Sequence, residues 1–142
     1  MSTTTHEATT ERAQATPKRA VTLIGNLTRS PQLARSESGT VYARFGLAVN
    51  RQERNYAGEW EDLPPEFFEV VCFGTLAENT ATSLTKGDRA VVAGMAETET
   101  WAADAGAPRQ TEKVTAEAVG AELRWARVKV ARRHVANEGG SQ

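Results

Sequence analysis

Residues Val41–Asn50 form one uninterrupted two-residue alternation, and few folds can accommodate it. Val41, Ala43, Phe45, Leu47 and Val49 share one face and are all apolar; Tyr42, Arg44, Gly46, Ala48 and Asn50 share the other. A helix would scatter these side chains around its axis. A strand places them on opposite sides, with the apolar set facing a core. A second segment, Phe67–Phe73, sharpens the constraint. Phe68, Val70 and Cys72 belong inside, which leaves Phe67, Glu69, Val71 and Phe73 on the opposite face. Glu69 would be costly to bury unpaired, so the flanking Phe67 and Phe73 are predicted to be at least partly exposed. Two outward phenylalanines on one strand call for a purpose other than packing.

Further strand signals recur at short intervals. Val21–Asn26 is apolar and β-rich, and Ser30-Pro31 breaks it; Ser38-Gly39 turns the chain into the long alternating strand. Residues 51–66 are polar, contain Gly58 and Pro64-Pro65, and read as a long connection. Thr75-Leu76-Ala77-Glu78 matches a capping box and predicts a short helix with Leu76, Ala77, Thr80, Ala81 and Leu84 near one face. Lys86-Gly87 then reads as a basic last turn and helix stop. Arg89–Trp101 is the fourth strand, 102–110 a hairpin loop and Thr111–Val119 the fifth strand. Leu123–Val130 alternates again and is a candidate extra C-terminal edge strand.

Three strands, a short helix and two strands are the order of the OB-fold, an all-β five-stranded Greek-key barrel that binds oligonucleotides or oligosaccharides. The predicted organisation is a disordered tail over 1–17, one such domain over 18–131, and a short disordered tail over 132–142.

Composition bounds what such a barrel can do. With 142 residues the chain has room for one domain. The lone Cys72 cannot pair within the chain, which fits a reducing compartment. No apolar run is long enough to span a bilayer, and the first residues lack the apolar core of a secretory signal, so the cytoplasm is the expected location. Net charge is −1, but RWARVKVARR (124–133) gathers five basic residues and no acidic one. Such a run is competent to touch phosphates, though it is more commonly solvated surface. His6 and His134 lie in the tails, far from Cys72, and give no metal-ligand spacing. Glu61-Asp62 reads as a solvated loop pair without a nucleophile or base beside it. Thr85-Lys86-Gly87 lacks the glycine spacing of a phosphate loop. Neither catalytic residue, metal nor cofactor is expected, and the chain is not read as an enzyme.

Six segments taken in order resemble the bacterial single-stranded DNA-binding protein family in its actinobacterial form. They are LIGNLTRSPQL (23–33), SGTVYARFGLAVN (38–50), GEW (58–60), FFEVVCFGTLAEN (67–79), SLTKGDRAVVAGM (83–95) and LRWARVKV (123–130). The resemblance implies an OB barrel, assembled as a homotetramer, that binds and protects single-stranded DNA without sequence preference in replication, recombination or repair. It implies a cytoplasmic, nucleoid-associated protein. It also implies base stacking on Phe67, Phe73 and Trp101, with Trp60 or Tyr56 standing in for a loop aromatic whose position here holds Glu53 or Arg54. Sequence-tolerant stacking suits such residues because every base has a π-face. Arg44, Arg51, Arg54, Lys86 and Arg89 are the candidate phosphate contacts. Trp60 and Trp101 also suit a subunit interface, where aromatics are enriched.

Two departures from the family pattern bear on function. Glu97 and Glu99 share a strand face with Trp101, and carboxylates beside a phosphate track weaken binding. The chain ends ANEGGSQ, without the acidic tail and hydrophobic tip of most members, so tail-mediated recruitment of repair enzymes is not expected. An alternative follows: an interaction module that assembles with a full-length paralogue and binds little DNA itself. An RNA chaperone of similar fold is a weaker third reading.

Overall fold

The computed structural model describes residues 14–15, 17–101 and 109–132. In chain order the elements are β1 (Gln14–Ala15), β2 (Arg19–Leu27), β3 (Gln32–Arg35), β4 (Val41–Arg54), β5 (Trp60–Phe73), α1 (Gly74–Ser83), β6 (Arg89–Trp101) and β7 (Arg109–Ala121). Hydrogen bonding runs β6–β2–β4–β5–β7, and β7 pairs again with β6, so five strands close into a barrel. All these pairings are antiparallel except β5–β7, which is parallel. This is the all-β OB-type barrel expected, with α1 bridging β5 and β6.

Strands β4 and β6 outrun β2, and short strands cover the remaining edges. β3 pairs with β4 over Val41–Arg44, beyond the two positions where β2 meets β4. β1 pairs with Thr100 and Glu99, beyond the end of the β2–β6 ladder. Gln14 and Ala15, expected within a disordered tail, are therefore paired strand. The extra strands lie at these edges and not at the C-terminus. Residues 122–132 form no strand, because closure has already taken both edges of β7.

The alternation in β4 holds. Ala43, Phe45 and Leu47 are completely buried, together with Val70 and Cys72 from β5, Val92 from β6 and Val114 from β7. Removing a side chain of this size from water is worth roughly 1.5–3 kcal/mol. α1 closes one end of the barrel, burying its own Ala77 and Thr80.

Three sequence expectations are corrected here. The helix starts at Gly74, its N-cap Phe73 is extended, and no side chain caps it. Gly74 has φ 68°, a left-handed turn open to glycine that swings the chain from β5 into α1 and leaves Thr75 inside the first turn. The helix ends at Ser83, with no basic residue in its last turn. Leu84 drops into the core, so the backbone becomes extended there, before Lys86-Gly87. Gly87 instead serves the turn into β6, its N–H donating to Leu27 O at 2.8 Å.

The third correction concerns residues 51–66, which are a two-stranded ribbon and not a loop. Arg51–Arg54 pairs with Trp60–Leu63, and a bulge separates this ribbon from the barrel register between Val49 and Arg51. Pro64 and Pro65 fall opposite that bulge, where their missing N–H groups interrupt no ladder. Asn55 folds the tip: its side-chain oxygen accepts the N–H groups of Ala57 and Glu59 at 2.9 and 3.0 Å.

A second bulge, between Ala93 and Gly94, bends β6 where it crosses β7. A Cβ at Gly94 would run into the carbonyl of Thr115 and lie 2.8 Å from Ala116 Cα, whereas one at Gly120 would meet nothing within 4 Å. Overpacking against backbone typically costs about 1–3 kcal/mol. Gly94→Ala is therefore expected to lower the unfolding free energy from urea titration by an amount in that range. Gly120→Ala in the same strand pair leaves it within about 0.5 kcal/mol.

Candidate nucleic-acid interface

The outward side chains of β4 and β5 form one lane across the barrel. Register places Tyr42 opposite Phe73, Arg44 opposite Val71, Gly46 opposite Glu69 and Ala48 opposite Phe67. Phe67 is 61% exposed and Phe73 47%, as the alternation around Glu69 requires. At a strand rise of about 3.3 Å per residue, they stand about 20 Å apart along β5. Phe73 is not isolated: the ring of Tyr42 lies 6.4 Å away at 49°, and the guanidinium of Arg44 sits 5.6 Å above Tyr42. Tilted rings topped by a cation make a firm aromatic platform at this end.

The middle of the lane is charged. Arg29, from the loop between β2 and β3, donates to Glu69 at 2.7 Å. Gly46 makes this reach possible, because a Cβ there would collide with Thr28 Oγ1 and come within 2.9 Å of Arg29 Nη1. The loop is tied down by Thr28, whose N–H donates to Gly46 O at 2.8 Å. Arg29, Gly46, Phe67 and Glu69 line a groove of about 430 Å³ that continues to Gln110–Glu112 on β7.

The other candidate residues are distributed unevenly. Arg44 joins Phe67 and Phe73 in the lane. Arg51, Arg54, Tyr56 and Trp60 all sit on the projecting ribbon, where Arg54 stacks 5.4 Å over Trp60 and Tyr56 is fully exposed at the tip. That ribbon is acidic: residues 51–66 hold five carboxylates against two guanidinium groups. Asp62 accepts from Gln52 at 3.0 Å and Glu61 from Asn55 at 3.1 Å, which makes these two acids cross-strand fasteners. Lys86 lies in the turn after α1, where its backbone N–H donates to Ser30 Oγ. Arg89 is held by Glu122 at 2.6 Å and lines a different groove, between α1 and residues 122–128. Trp101 ends β6, paired with Arg109, and its side chain lies outside the described residues. Glu97 pairs in register with Lys113, and Glu99 with Thr111.

Two participants in the lane escaped the sequence reading. Tyr42 was placed on the outer face, but its position against Phe73 depends on hairpin register. Arg29 reaches Glu69 across forty residues, and only the glycine at 46 hints at the crossing. Phe68, by contrast, is buried as expected.

The fold and this face together define a class: an OB-type barrel with a half-exposed aromatic lane, suited to holding an extended ligand. Comparison with known proteins narrows it. A family model, the single-strand binding protein family, matches residues 19–122, so the chain belongs to that family of DNA-binding proteins and is not an enzyme. It is 34% identical over 122 residues to a single-stranded DNA-binding protein of Paenarthrobacter aurescens, covering 85% of this chain and 71% of that one. With the protein of the same description from Mycolicibacterium smegmatis it shares 34% over 111 residues, covering 78% of this chain and 67% of the other. Among solved structures, the crystal structure of a small single-stranded DNA-binding protein from Streptomyces coelicolor aligns with a TM-score of 0.64 at 29% identity. That match covers 76% of this chain and 97% of the other. No helix among the described residues is long and apolar enough to cross a membrane.

Directly behind the lane, Cys72 is completely buried. Burial pushes its thiol above the ordinary cysteine value, outweighing an opposing contact from Thr80. A thiol held protonated and out of water is a poor nucleophile. Native protein at neutral pH is therefore expected to react with a thiol-specific chromogenic disulfide only as slowly as it unfolds, with full reaction in denaturant.

Proposed function

We propose that this protein binds single-stranded DNA without sequence preference, by stacking bases on the β4–β5 lane and neutralising phosphates beside it. The observation that carries this reading is the pair of half-exposed phenylalanines at the two ends of one lane. A barrel with no ligand for that face gains nothing by leaving them in water. Phe67 serves one end, Phe73 with Tyr42 the other, and Trp101, Trp60 and Tyr56 extend the stacking surface. Arg44 is the best-placed phosphate contact of the candidates; Arg51, Arg54 and Lys86 contribute from the ribbon and the turn, and Arg89 less, because Glu122 holds it. Single strands exposed during replication, recombination or repair in the cytoplasm are the substrate, and the working form is a homotetramer.

Stacking is worth roughly 1–3 kcal/mol per base by alanine substitution. Phe67→Ala and Phe73→Ala are each expected to weaken binding of labelled oligo-dT by that amount in anisotropy titrations at fixed salt. Unaltered affinity in both variants would remove the lane from the binding site. The acidic flank gives a second test. Glu97→Arg/Glu99→Arg is expected to tighten oligo-dT binding at low salt, with the difference shrinking as salt rises; unchanged affinity counts against any influence of that flank.

A specific observation favours a second reading, assembly with a full-length paralogue. Leu123, Trp125, Val128 and Val130 are all exposed, Trp125 by 76%, on a segment that no strand holds. Exposed apolar residues in sequence of this kind suit a protein partner. The two readings part on one measurement: quenching of tryptophan fluorescence by oligo-dT at low salt supports DNA binding, and its absence supports the assembly role.

A further inference from the structure

The pair at the centre of the lane has no role in the reading above. Arg29 and Glu69 stand between the two aromatic ends, on the stretch that the backbone of a strand stacked at both ends must cross. A bare carboxylate there would repel each phosphate that passed. Glu69 is not bare: Arg29 lies against it at 2.7 Å, the Arg29 side chain 44% exposed and that of Glu69 29%. An exposed ion pair of this kind contributes little to folding, so stability alone does not account for it. Its construction is also specific. The Arg29 guanidinium needs the Cβ-free surface of Gly46 to lie where it does, and Thr28 anchors its loop to that same glycine.

A guanidinium carries five N–H donors, and Glu69 engages it through a single hydrogen bond. Donors therefore remain for a second oxyanion arriving from the solvent side. Lys113 on β7 is the register neighbour of Glu69 on its other side, with Glu97 of β6 beyond it, so an anion taking the carboxylate's place would lie between the loop guanidinium and a β7 ammonium. Arg44, the other arginine of the lane, stands over the Tyr42 ring at the Phe73 end, which leaves the centre to Arg29.

We propose that Arg29 is a phosphate contact of this face and that Glu69 is its resident counter-ion, a carboxylate that DNA phosphate displaces. The proposal rests on the lane being the DNA site. It adds a residue from outside the strands, and it makes Glu69 a brake on binding whose removal leaves the contact intact. In the free protein the pair cancels; with DNA bound, the guanidinium turns to phosphate and the carboxylate is released to water.

The test uses the full chain and oligo-dT in anisotropy titrations across a salt series, comparing wild type, Arg29→Ala, Glu69→Gln and Phe73→Ala. Arg29→Ala is expected to weaken binding several-fold and to flatten the slope of log affinity against log salt by about 0.7, the loss of one phosphate contact on a single strand. Glu69→Gln is expected to tighten binding several-fold at low salt, with a slope no shallower than wild type. Phe73→Ala should weaken binding while leaving the slope alone, which separates stacking from charge. An Arg29→Ala slope equal to wild type, or weaker binding by Glu69→Gln, overturns the proposal. If wild type itself fails to bind, the underlying reading falls and takes the proposal with it. Because the Glu69 arm predicts a gain, a folding defect cannot imitate it.

Discussion

The register between β4 and β5 is the constraint on which both the core and the candidate binding face depend. Twelve paired positions run from Tyr42–Phe73 to Arg54–Trp60, with one bulge. Side chains alternate with period two, so a slip of β5 by one residue against β4 would turn Val70 and Cys72 outward and send Glu69 into the barrel. That exchange is prohibitive, because it exposes the core and buries a charge at the same time. Core and lane are two sides of the same pair of strands. Whatever holds the first in place also aims the second.

Closure then fixes the curvature of that face. β7 joins β5 in parallel and β6 antiparallel, bringing Val114 against Val70 on one side and Ala96 on the other. The barrel can bend tightly enough only where backbone meets backbone without a Cβ between, as at Gly94 against Thr115 and Gly25 against Ala48. Gly46 uses the same device toward solvent. Its missing side chain makes room for a loop arginine and not for another strand, which links the geometry of the barrel wall to the charge on its surface.

How much of this was legible in the sequence follows from what each segment buries. The strands Val41–Asn50 and Phe67–Phe73 were readable because their two faces differ sharply, and Glu69 alone sufficed to turn Phe67 and Phe73 outward. The ribbon at 51–66 was not readable as strand: it buries no face, so its polar composition resembles a loop, and only cross-strand partners such as Gln52–Asp62 reveal it. The start of α1 was misplaced because the capping-box pattern at Thr75 is local, whereas the actual turn at Gly74 answers to the exit angle of β5. The candidate aromatics in the lane were found by alternation. Tyr42 and Arg29 were missed because each acquires its neighbour through tertiary register, which no spacing along the chain encodes. Arg89 shows the converse: a basic residue in a plausible place, whose charge Glu122 has already claimed. The same hydrogen bond holds the Glu122 carboxyl below its ordinary range, so the pair persists at any pH near neutral.

The distribution of charge bears on how a chain of net charge −1 can bind a polyanion at all. Counter-ion release rewards only cations left free to meet phosphate. Several of those described here are engaged: Arg29 by Glu69, Arg89 by Glu122, Arg19 by Glu112, and Arg44 and Arg54 over aromatic rings. The two kinds of engagement differ in consequence. An arginine over a tyrosine or tryptophan keeps its full charge and stiffens a stacking surface; an arginine paired with a carboxylate must first exchange that partner for the ligand. On the proposed function, affinity then comes chiefly from the aromatic ends of the lane, which act at any salt concentration. The charged centre sets how steeply binding answers to salt. A face built this way holds single strands by their bases and uses the Arg29–Glu69 exchange to avoid repelling the backbone between them.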